Sequence, residues 1–116
     1  MGRRGEDLAA ELLCRRGFRV LARNWRCGRR ELDLVALDGD TIVFVEVKTR
    51  GPGPQSAREA INHSKRRHLR QVAAAWLRAH PGWGREFRFD VVAVTREPSG
   101  RWRVEHLPEA FFGDDV

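Results

Sequence analysis

Apolar residues recur along the chain with two periods, and these periods divide it into helices and strands. In residues 3–17 and 56–79 they return every three or four positions, which is typical of an amphipathic helix. Elsewhere apolar and polar residues alternate, which indicates strands with one buried face. The pattern predicts the order helix, three strands, helix, two strands, at residues 3–17, 18–25, 31–37, 41–49, 56–79, 86–95 and 101–107.

Turn residues support this division. Gly17 follows the first helix as a C-terminal glycine does, and the Pro-Gly pair at 81–82 closes the second helix. The Asp-Gly-Asp sequence at 38–40 predicts a tight hairpin between the second and third strands. A chain of 116 residues has the usual size of one domain. We therefore expect a single α/β domain, residues 1–116, in which helices flank a mixed five-stranded sheet.

The hairpin carries the most informative charges. One face of its two strands is wholly apolar and is predicted to be buried, with Leu32, Leu34, Ala36, Val43, Val45 and Val47. The other face is apolar near the turn and charged at the far end, where Glu31, Asp33, Glu46 and Lys48 gather. A turn at 39–40 places Asp33 directly opposite Glu46, whereas a turn at 38–39 makes them diagonal neighbours.

Two acids that face each other at the edge of an apolar surface repel, and each needs a partner. A divalent cation would resolve this conflict, because carboxylates are the natural ligands of Mg²⁺. Lys48 follows Glu46 on the same face, where it could position an attacking water and offset charge on a phosphate. The alternative is a structural ion cluster in which Lys48 and Glu31 pair with the two acids, and the pattern alone leaves both interpretations open.

The basic side chains indicate an acidic polymer as partner. The formal net charge is +6 and the isoelectric point is about 10.8, which suits nucleic acid. Of the 22 basic residues only Lys48 and Lys65 are lysine. Lysine is a compact point charge and arginine a planar fork, so these two positions are candidates for roles that arginine cannot fill.

Lys65 lies four residues after Ile61 and four before Leu69, so it falls on the inward stripe of the second helix. It is a candidate phosphate contact near the acidic pair. The remaining candidates for contacts to a nucleic-acid backbone are Arg26, Arg29, Arg30, Arg50, Arg66, Arg67 and Arg70. A charge run on a helix is otherwise usually a solvated face.

The chain shows no membrane or secretion signal. No segment approaches the roughly 18 consecutive apolar residues of a membrane span, and the basic N-terminus turns acidic at once. Cys14 and Cys27 lack zinc-ligand spacing and are too few for a disulfide framework. We expect a cytoplasmic protein.

Beyond these patterns, the segments 31–35 (ELDLV) and 44–50 (FVEVKTR) together resemble the YraN-type uncharacterised protein family. That family is similar to the restriction-endonuclease-like superfamily, with its PD-(D/E)XK signature, and most of all to archaeal Holliday-junction resolvases. Further matches, in the same order along the chain, are Gly5-Glu6 with Ala9, Asn24-Trp25-Arg26, Lys65, Arg88-Phe89-Asp90-Val91 and Ala110-Phe111.

The resemblance implies a restriction-endonuclease-like three-layer fold and phosphodiester hydrolysis that depends on Mg²⁺ or Mn²⁺. By that likeness Asp33 and Glu46 are metal ligands, together with the carbonyl of Val47, and Lys48 is the catalytic lysine. Glu6 matches an acid on the first helix of the resolvase-like branch. A homodimer is suggested by the same likeness, although no dimer seam is visible in the sequence.

The leading hypothesis is therefore a metal-dependent nuclease that acts on DNA, branched or single-stranded, in DNA processing or repair. Its main rival is a non-catalytic nucleic-acid-binding module of the same fold. A third hypothesis is a protein-interaction adaptor, whose binding would not weaken steeply with salt as phosphate-dominated binding must.

Overall fold

The computed structural model describes residues 2–51, 63–83 and 86–111. The elements follow the predicted order of helix, three strands, helix, two strands. They are α1 (Gly2–Arg15), β1 (Arg19–Cys27), β2 (Arg30–Asp38), β3 (Thr41–Arg50), α2 (His63–Ala79), β4 (Glu86–Arg96) and β5 (Trp102–Phe111).

The strands form one mixed sheet in the order β1-β2-β3-β4-β5. Only β3 and β4 run parallel, and every other neighbouring pair is antiparallel. This arrangement follows from the connections, because parallel neighbours need a long crossover whereas antiparallel ones can be joined by short turns. The predicted mixed five-stranded sheet is confirmed.

The two helices cover opposite faces of the sheet. Ala9 and Leu13 of α1 pack on one face against a buried cluster that includes Val43 and Val92. On the other face α2 packs through a second cluster that includes Trp76. Each face is apolar because each is covered, which gives the three layers predicted for a restriction-endonuclease-like domain.

The sequence predicts that six apolar residues of the β2–β3 hairpin share one face, and this prediction is wrong for Leu32. Alternation predicts Leu32 beside Leu34, but Leu32 lies in the core beneath α2 whereas Leu34 lies beneath α1. Leu32 pairs with Trp25 of β1, and the residue that precedes Trp25, Asn24, has a left-handed φ of 53°. This conformation interrupts the strand's alternation, so that Trp25 and Leu32 both turn towards α2.

Element boundaries differ from the predictions where local signals mislead. β5 continues past the predicted end at 107 to Phe111, although Pro108 lacks an N–H group. The last strand of a sheet tolerates this loss, because one of its edges has no partner. The predicted start of the second helix at 56, and Ile61 on its stripe, lie outside the described residues.

The turns agree with the sequence. Gly17, two residues after the end of α1 at Arg15, has a φ of 91°, which is typical of a glycine that terminates a helix. Asp38 pairs with Thr41, so the hairpin turn consists of Gly39 and Asp40. No helix in the described ranges is both long and apolar enough to cross a membrane.

Candidate active site

The β2–β3 hairpin brings two carboxylates together where its strands separate. The paired positions run from the turn to Leu34 and Val45, and one further step in the same register places Asp33 across from Glu46. Beyond this point a side chain replaces the ladder, because the N–H of Val47 donates to Asp33 Oδ2 at 2.8 Å. The Asp33 carboxyl thereby lies within hydrogen-bonding reach of Glu46.

This proximity changes the acidity of Asp33. Burial, followed by the negative charge of Glu46, raises the pKa of Asp33 to about 7. The N–H of Val47 opposes this rise, because it stabilises the ionised form, and the charge of Glu6 adds a smaller increase. The Asp33 carboxyl therefore holds its proton to a higher pH than an ordinary aspartate does.

Both lysines of the sequence contact the second carboxylate. Glu46 Oε2 lies 3.4 Å from Lys48 Nζ and 3.2 Å from Lys65 Nζ. The Glu46 side chain is only 6% exposed, and its pair with Lys48 is better shielded from bulk water than its pair with Lys65, which is 41% exposed. Lys48 comes from the same strand as Glu46 and Lys65 from the covering helix. The structure thus brings together Asp33, Glu46, Lys48 and Lys65.

A cleft of about 210 Å³ opens beside the carboxylates. Asp33 lines it together with Lys65 and His68 of α2, and Arg29 and Arg30 line it from the β1–β2 turn. The cleft therefore combines two acids, Glu31 and Asp33, with basic side chains, whereas Glu46 and its partner Lys48 lie outside its lining.

Glu6 does not line this cleft. It lies on α1, against the other face of the sheet, and borders a separate pocket with Asp7, Arg23 and Asn24. Its acidic charge reaches Asp33 only as the weakest of the effects that raise the Asp33 pKa. The structure consequently places Glu6 at the margin of the site.

The arginines predicted to contact nucleic acid do not form one continuous patch. Arg29 and Arg30 lie on the rim of the cleft, whereas Arg26 is exposed and paired with Glu31 at 3.3 Å. Arg50 lines a different pocket, at the end of β3. The other three lie on α2, where Arg67 is exposed and Arg66 and Arg70 are half-buried.

The carboxylates present suit one kind of metal better than others. Among the residues that the structure describes, no group of three or more His, Cys, Asp or Glu side chains could enclose a metal ion. Mg²⁺ needs no such cage, because it keeps several waters and commonly binds one or two carboxylates plus substrate phosphates. Asp33 and Glu46 therefore fit Mg²⁺ or Mn²⁺ in chemistry and number, but not a structural zinc ion.

Sequence reasoning passed over His68, which the structure places in the lining of the cleft. It lies three residues after Lys65, so helical spacing was the signal that could have identified it. Asp90 alternates with Phe89 and Val91 in the sequence, which leaves open whether it lines the site or, more readily, forms a structural hydrogen bond. Asp90 is fully buried and accepts hydrogen bonds from Arg88, His106 and the N–H of Glu109, which confirms the structural interpretation.

Comparison with known proteins identifies the family. The family described as "Uncharacterised protein family UPF0102" matches residues 5–94. A UPF0102 protein of Nitratidesulfovibrio vulgaris is 50% identical over 111 residues, which cover 95% of this chain and 82% of that protein. A UPF0102 protein of Frankia casuarinae is 49% identical over 112 residues, which cover 96% of this chain and 95% of that protein. A UPF0102 protein of Anaeromyxobacter dehalogenans is 49% identical over 115 residues, which cover 98% of this chain and 85% of that protein. This is the YraN-type family that the hairpin motifs predict. The chain therefore belongs to the uncharacterised protein family UPF0102.

Proposed function

We propose that this protein hydrolyses phosphodiester bonds of DNA with the help of a divalent cation, Mg²⁺ or Mn²⁺. One observation carries the proposal. Asp33, Glu46 and both lysines of the chain meet beside a cleft with a mostly basic rim. The sheet places the carboxylates on one side, and the helix that covers them adds the second ammonium group.

Asp33 and Glu46 would hold the cation, with the carbonyl of Val47 as a further ligand. A bound divalent cation would polarise the phosphate and make a nearby water a better nucleophile. The raised pKa of Asp33 supports this assignment. It marks a place where two negative charges are incompletely balanced, so that a proton and a metal ion would compete for the same carboxylate.

Lys48 would orient the attacking water and offset the charge that develops on the phosphate. Its ammonium group is held 3.4 Å from Glu46, and its side chain is only 19% exposed. Lys65 is more exposed, at 41%, and lies on the cleft, so we assign it to a substrate phosphate. From the margin of the site, Glu6 would orient the residues that hold the cation.

The likeness to resolvases supports branched or single-stranded DNA as the substrates to examine first. It also supports a homodimer. The cysteine usage supports a cytoplasmic location as part of the same proposal. Arg29 and Arg30 on the rim would bind the DNA backbone without reading its sequence.

A second candidate function rests on the ion pairs themselves. Lys48 and Lys65 balance the charge of Glu46 without any cation, which is compatible with a binding module that performs no chemistry. The two functions differ in one respect: a binding module needs no divalent ion, and its affinity for DNA would hardly change in Lys48→Ala.

The test is a cleavage assay with the purified full chain on duplex, single-stranded, flap and four-way DNA. Each substrate is incubated with Mg²⁺, Mn²⁺ or EDTA. Asp33→Ala and Lys48→Ala are purified in parallel, and Arg15→Ala, an exposed surface change on α1, serves as the matched control. We expect cleavage by the wild type and the control in metal, and none by the two site variants.

Two results would overturn the proposal. Cleavage that survives in Asp33→Ala would identify a contaminating nuclease. Binding of DNA without cleavage of any substrate, unchanged by metal or by Lys48→Ala, would establish the binding module instead.

A further inference from the structure

A second basic pocket lies at the end of the two parallel strands. Its volume is about 320 Å³, within the lower range of small-ligand sites. It is lined by Arg4, Thr49, Arg50, Gly51, Arg96 and Trp102. Strand pairing brings these distant parts of the sequence together, because Arg50 pairs with Thr95 of β4 and Arg96 pairs with Trp102 of β5.

The pocket concentrates positive charge, and none of the described carboxylates balances it. Within the described ranges, none of Arg4, Arg50 and Arg96 forms an ion pair, and no acidic residue lines the pocket. Arg88 shows the contrasting case, because its guanidinium is paired with carboxylates. Three unbalanced guanidinium groups around one concavity favour an anionic ligand.

One of these groups also lacks a hydrogen-bond acceptor. Arg50 Nε is buried and has no hydrogen-bond partner in the described structure. A buried donor without an acceptor costs free energy, so such donors are normally paired. An oxygen atom of an anion in the pocket would supply the missing acceptor.

The third arginine is held in place by an aromatic ring. The Arg96 guanidinium lies over the indole of Trp102, 5.4 Å from the ring centroid. This cation–π contact orients the planar fork before a ligand arrives. A planar, oriented guanidinium suits a phosphate group, which it can contact with two N–H donors at once.

We propose that this pocket binds a backbone phosphate of the DNA strand that leaves the catalytic cleft. The proposal rests on the proposed function for the source of that strand. Lys48 and Arg50 are two residues apart on β3, which corresponds to about 7 Å along a strand. Lys48 lies on the face covered by α2, whereas Arg4, Arg96 and Trp102 lie on the face covered by α1. A nucleic-acid strand held at Lys48 would therefore reach Arg50 at the end of β3 and pass round this end of the sheet, where its following phosphates would meet Arg4 and Arg96.

Binding of fluorescent single-stranded DNA to the full chain, in EDTA and over a range of salt concentrations, tests this subsite. The variant Arg4→Ala/Arg96→Ala removes two guanidinium groups from the pocket. The control Arg101→Ala/Arg103→Ala removes the same charge from exposed positions on and beside β5. We expect the pocket variant to bind about tenfold more weakly than the control, because it no longer makes hydrogen bonds to a charged phosphate.

The salt dependence gives a second readout. For single strands the slope of log affinity against log salt becomes shallower by about 0.7 for each phosphate that the protein no longer neutralises, so the pocket variant should show a shallower slope than the control. Trp102→Phe, which keeps a ring under Arg96, should retain more affinity than Trp102→Ala. Thermal unfolding of each variant identifies any that loses affinity by failing to fold.

The two proposals can fail separately. If the wild type binds DNA without cleaving it, and the pocket variant still binds DNA more weakly than the control, the result supports the phosphate subsite and contradicts the proposed hydrolysis. If the wild type cleaves DNA, and the pocket variant matches the control in affinity and salt slope, the subsite is overturned and hydrolysis stands.

Discussion

Asp33 and Asp90 are two aspartates of one sheet whose surroundings shift their acidity in opposite directions. Burial and the nearby Glu46 raise the pKa of Asp33 to about 7. Burial alone would also raise the pKa of Asp90, but hydrogen bonds from His106 and Arg88 outweigh it and hold that pKa below its usual range. Asp90 is the more completely buried of the two, so burial alone does not explain the difference.

The partners explain it. Asp90 accepts two hydrogen bonds from Arg88, one from His106 at 2.7 Å and one from the N–H of Glu109 at 2.9 Å. Its charge is fully used within the protein, which makes it a structural residue. Asp33 accepts a single described hydrogen bond from the backbone and faces another acid. Within the described residues Asp33 is therefore less fully paired than Asp90, which is compatible with the proposed role as a metal ligand.

The largest difference should appear in catalysis. Asp33→Asn keeps the size and the hydrogen-bond acceptor of the side chain but removes the charge that a metal ion requires. We expect the rate of DNA cleavage in Mg²⁺ or Mn²⁺ to fall about 1,000-fold, which corresponds to about 4 kcal/mol in the activation barrier. Single-turnover cleavage at saturating protein measures this.

Asp90→Asn provides the comparison in the same assay. At a temperature where it is folded, its cleavage rate should stay within about threefold of wild type, because a residue outside the site changes the barrier by less than about 1 kcal/mol. An equal loss of activity in both variants would remove the distinction between the two aspartates.

The stability of the fold should depend on Asp90, although the rate of cleavage should not. Asp90→Ala leaves the buried His106 side chain without its carboxylate partner and, among the described carboxylates, the half-buried Arg88 with Asp38 alone. We expect it to lower the free energy of unfolding by about 3 kcal/mol. Urea denaturation followed by tryptophan fluorescence measures this change. Glu105→Ala, an exposed change on β5, should stay within about 0.5 kcal/mol of wild type. A loss for Asp90→Ala no larger than that of this control would contradict the structural role.

Asp33→Asn should stabilise the protein at alkaline pH when metal is absent. Since the pKa of Asp33 is raised from 3.8 to about 7 on folding, the folded state binds more protons than the unfolded state in that window. Wild-type stability therefore falls as the pH rises from 3.8 to about 7, and the amide does not suffer this loss. We expect a gain of about 2 kcal/mol at pH 8 in EDTA, and little difference from wild type near pH 4.

The matched measurement is the same unfolding experiment with added Mg²⁺. Metal that binds the folded state should stabilise wild type and leave Asp33→Asn unchanged. An Asp33→Asn variant that is less stable than wild type at pH 8 in EDTA would mean that Asp33 is a satisfied structural ion, like Asp90.

The sequence predicts those features of the two aspartates that depend only on the alternation of side chains along neighbouring strands. Alternation along the hairpin, with a two-residue turn, puts Asp33 opposite Glu46, and the structure has the corresponding register as far as Leu34 and Val45. The same rule failed at Leu32, because a left-handed Asn24 on the neighbouring strand reverses the alternation there. A positive φ at a non-glycine residue leaves no reliable mark in a single sequence.

Features that depend on packing between distant elements were harder to predict. Helical spacing identified Lys65 as inward-facing, but only the docking of α2 shows that it meets the same Glu46 oxygen as Lys48. The pocket that contains Arg96 and Trp102 forms because β4 and β5 pair beside β3. Tertiary contacts of this kind have no sequence period, so the charge count alone could not separate these arginines from solvated ones.

The smallest effect should come from Lys65→Arg, for which Lys48→Arg is the matched comparison. Lys48 is 19% exposed and shares the site with both carboxylates, so the bulkier planar fork of Lys48→Arg should displace them and nearly abolish cleavage. Lys65 is 41% exposed at the cleft, so Lys65→Arg has room to keep its contact with Glu46 and a phosphate. We expect Lys65→Arg to lose about tenfold in kcat/KM, or about 1.4 kcal/mol, with most of the change in KM because it contacts bound substrate. Equal losses for the two variants, or a larger loss for Lys65→Arg, would mean that the helix supplies the catalytic ammonium group and that Lys48 is the structural partner of Glu46.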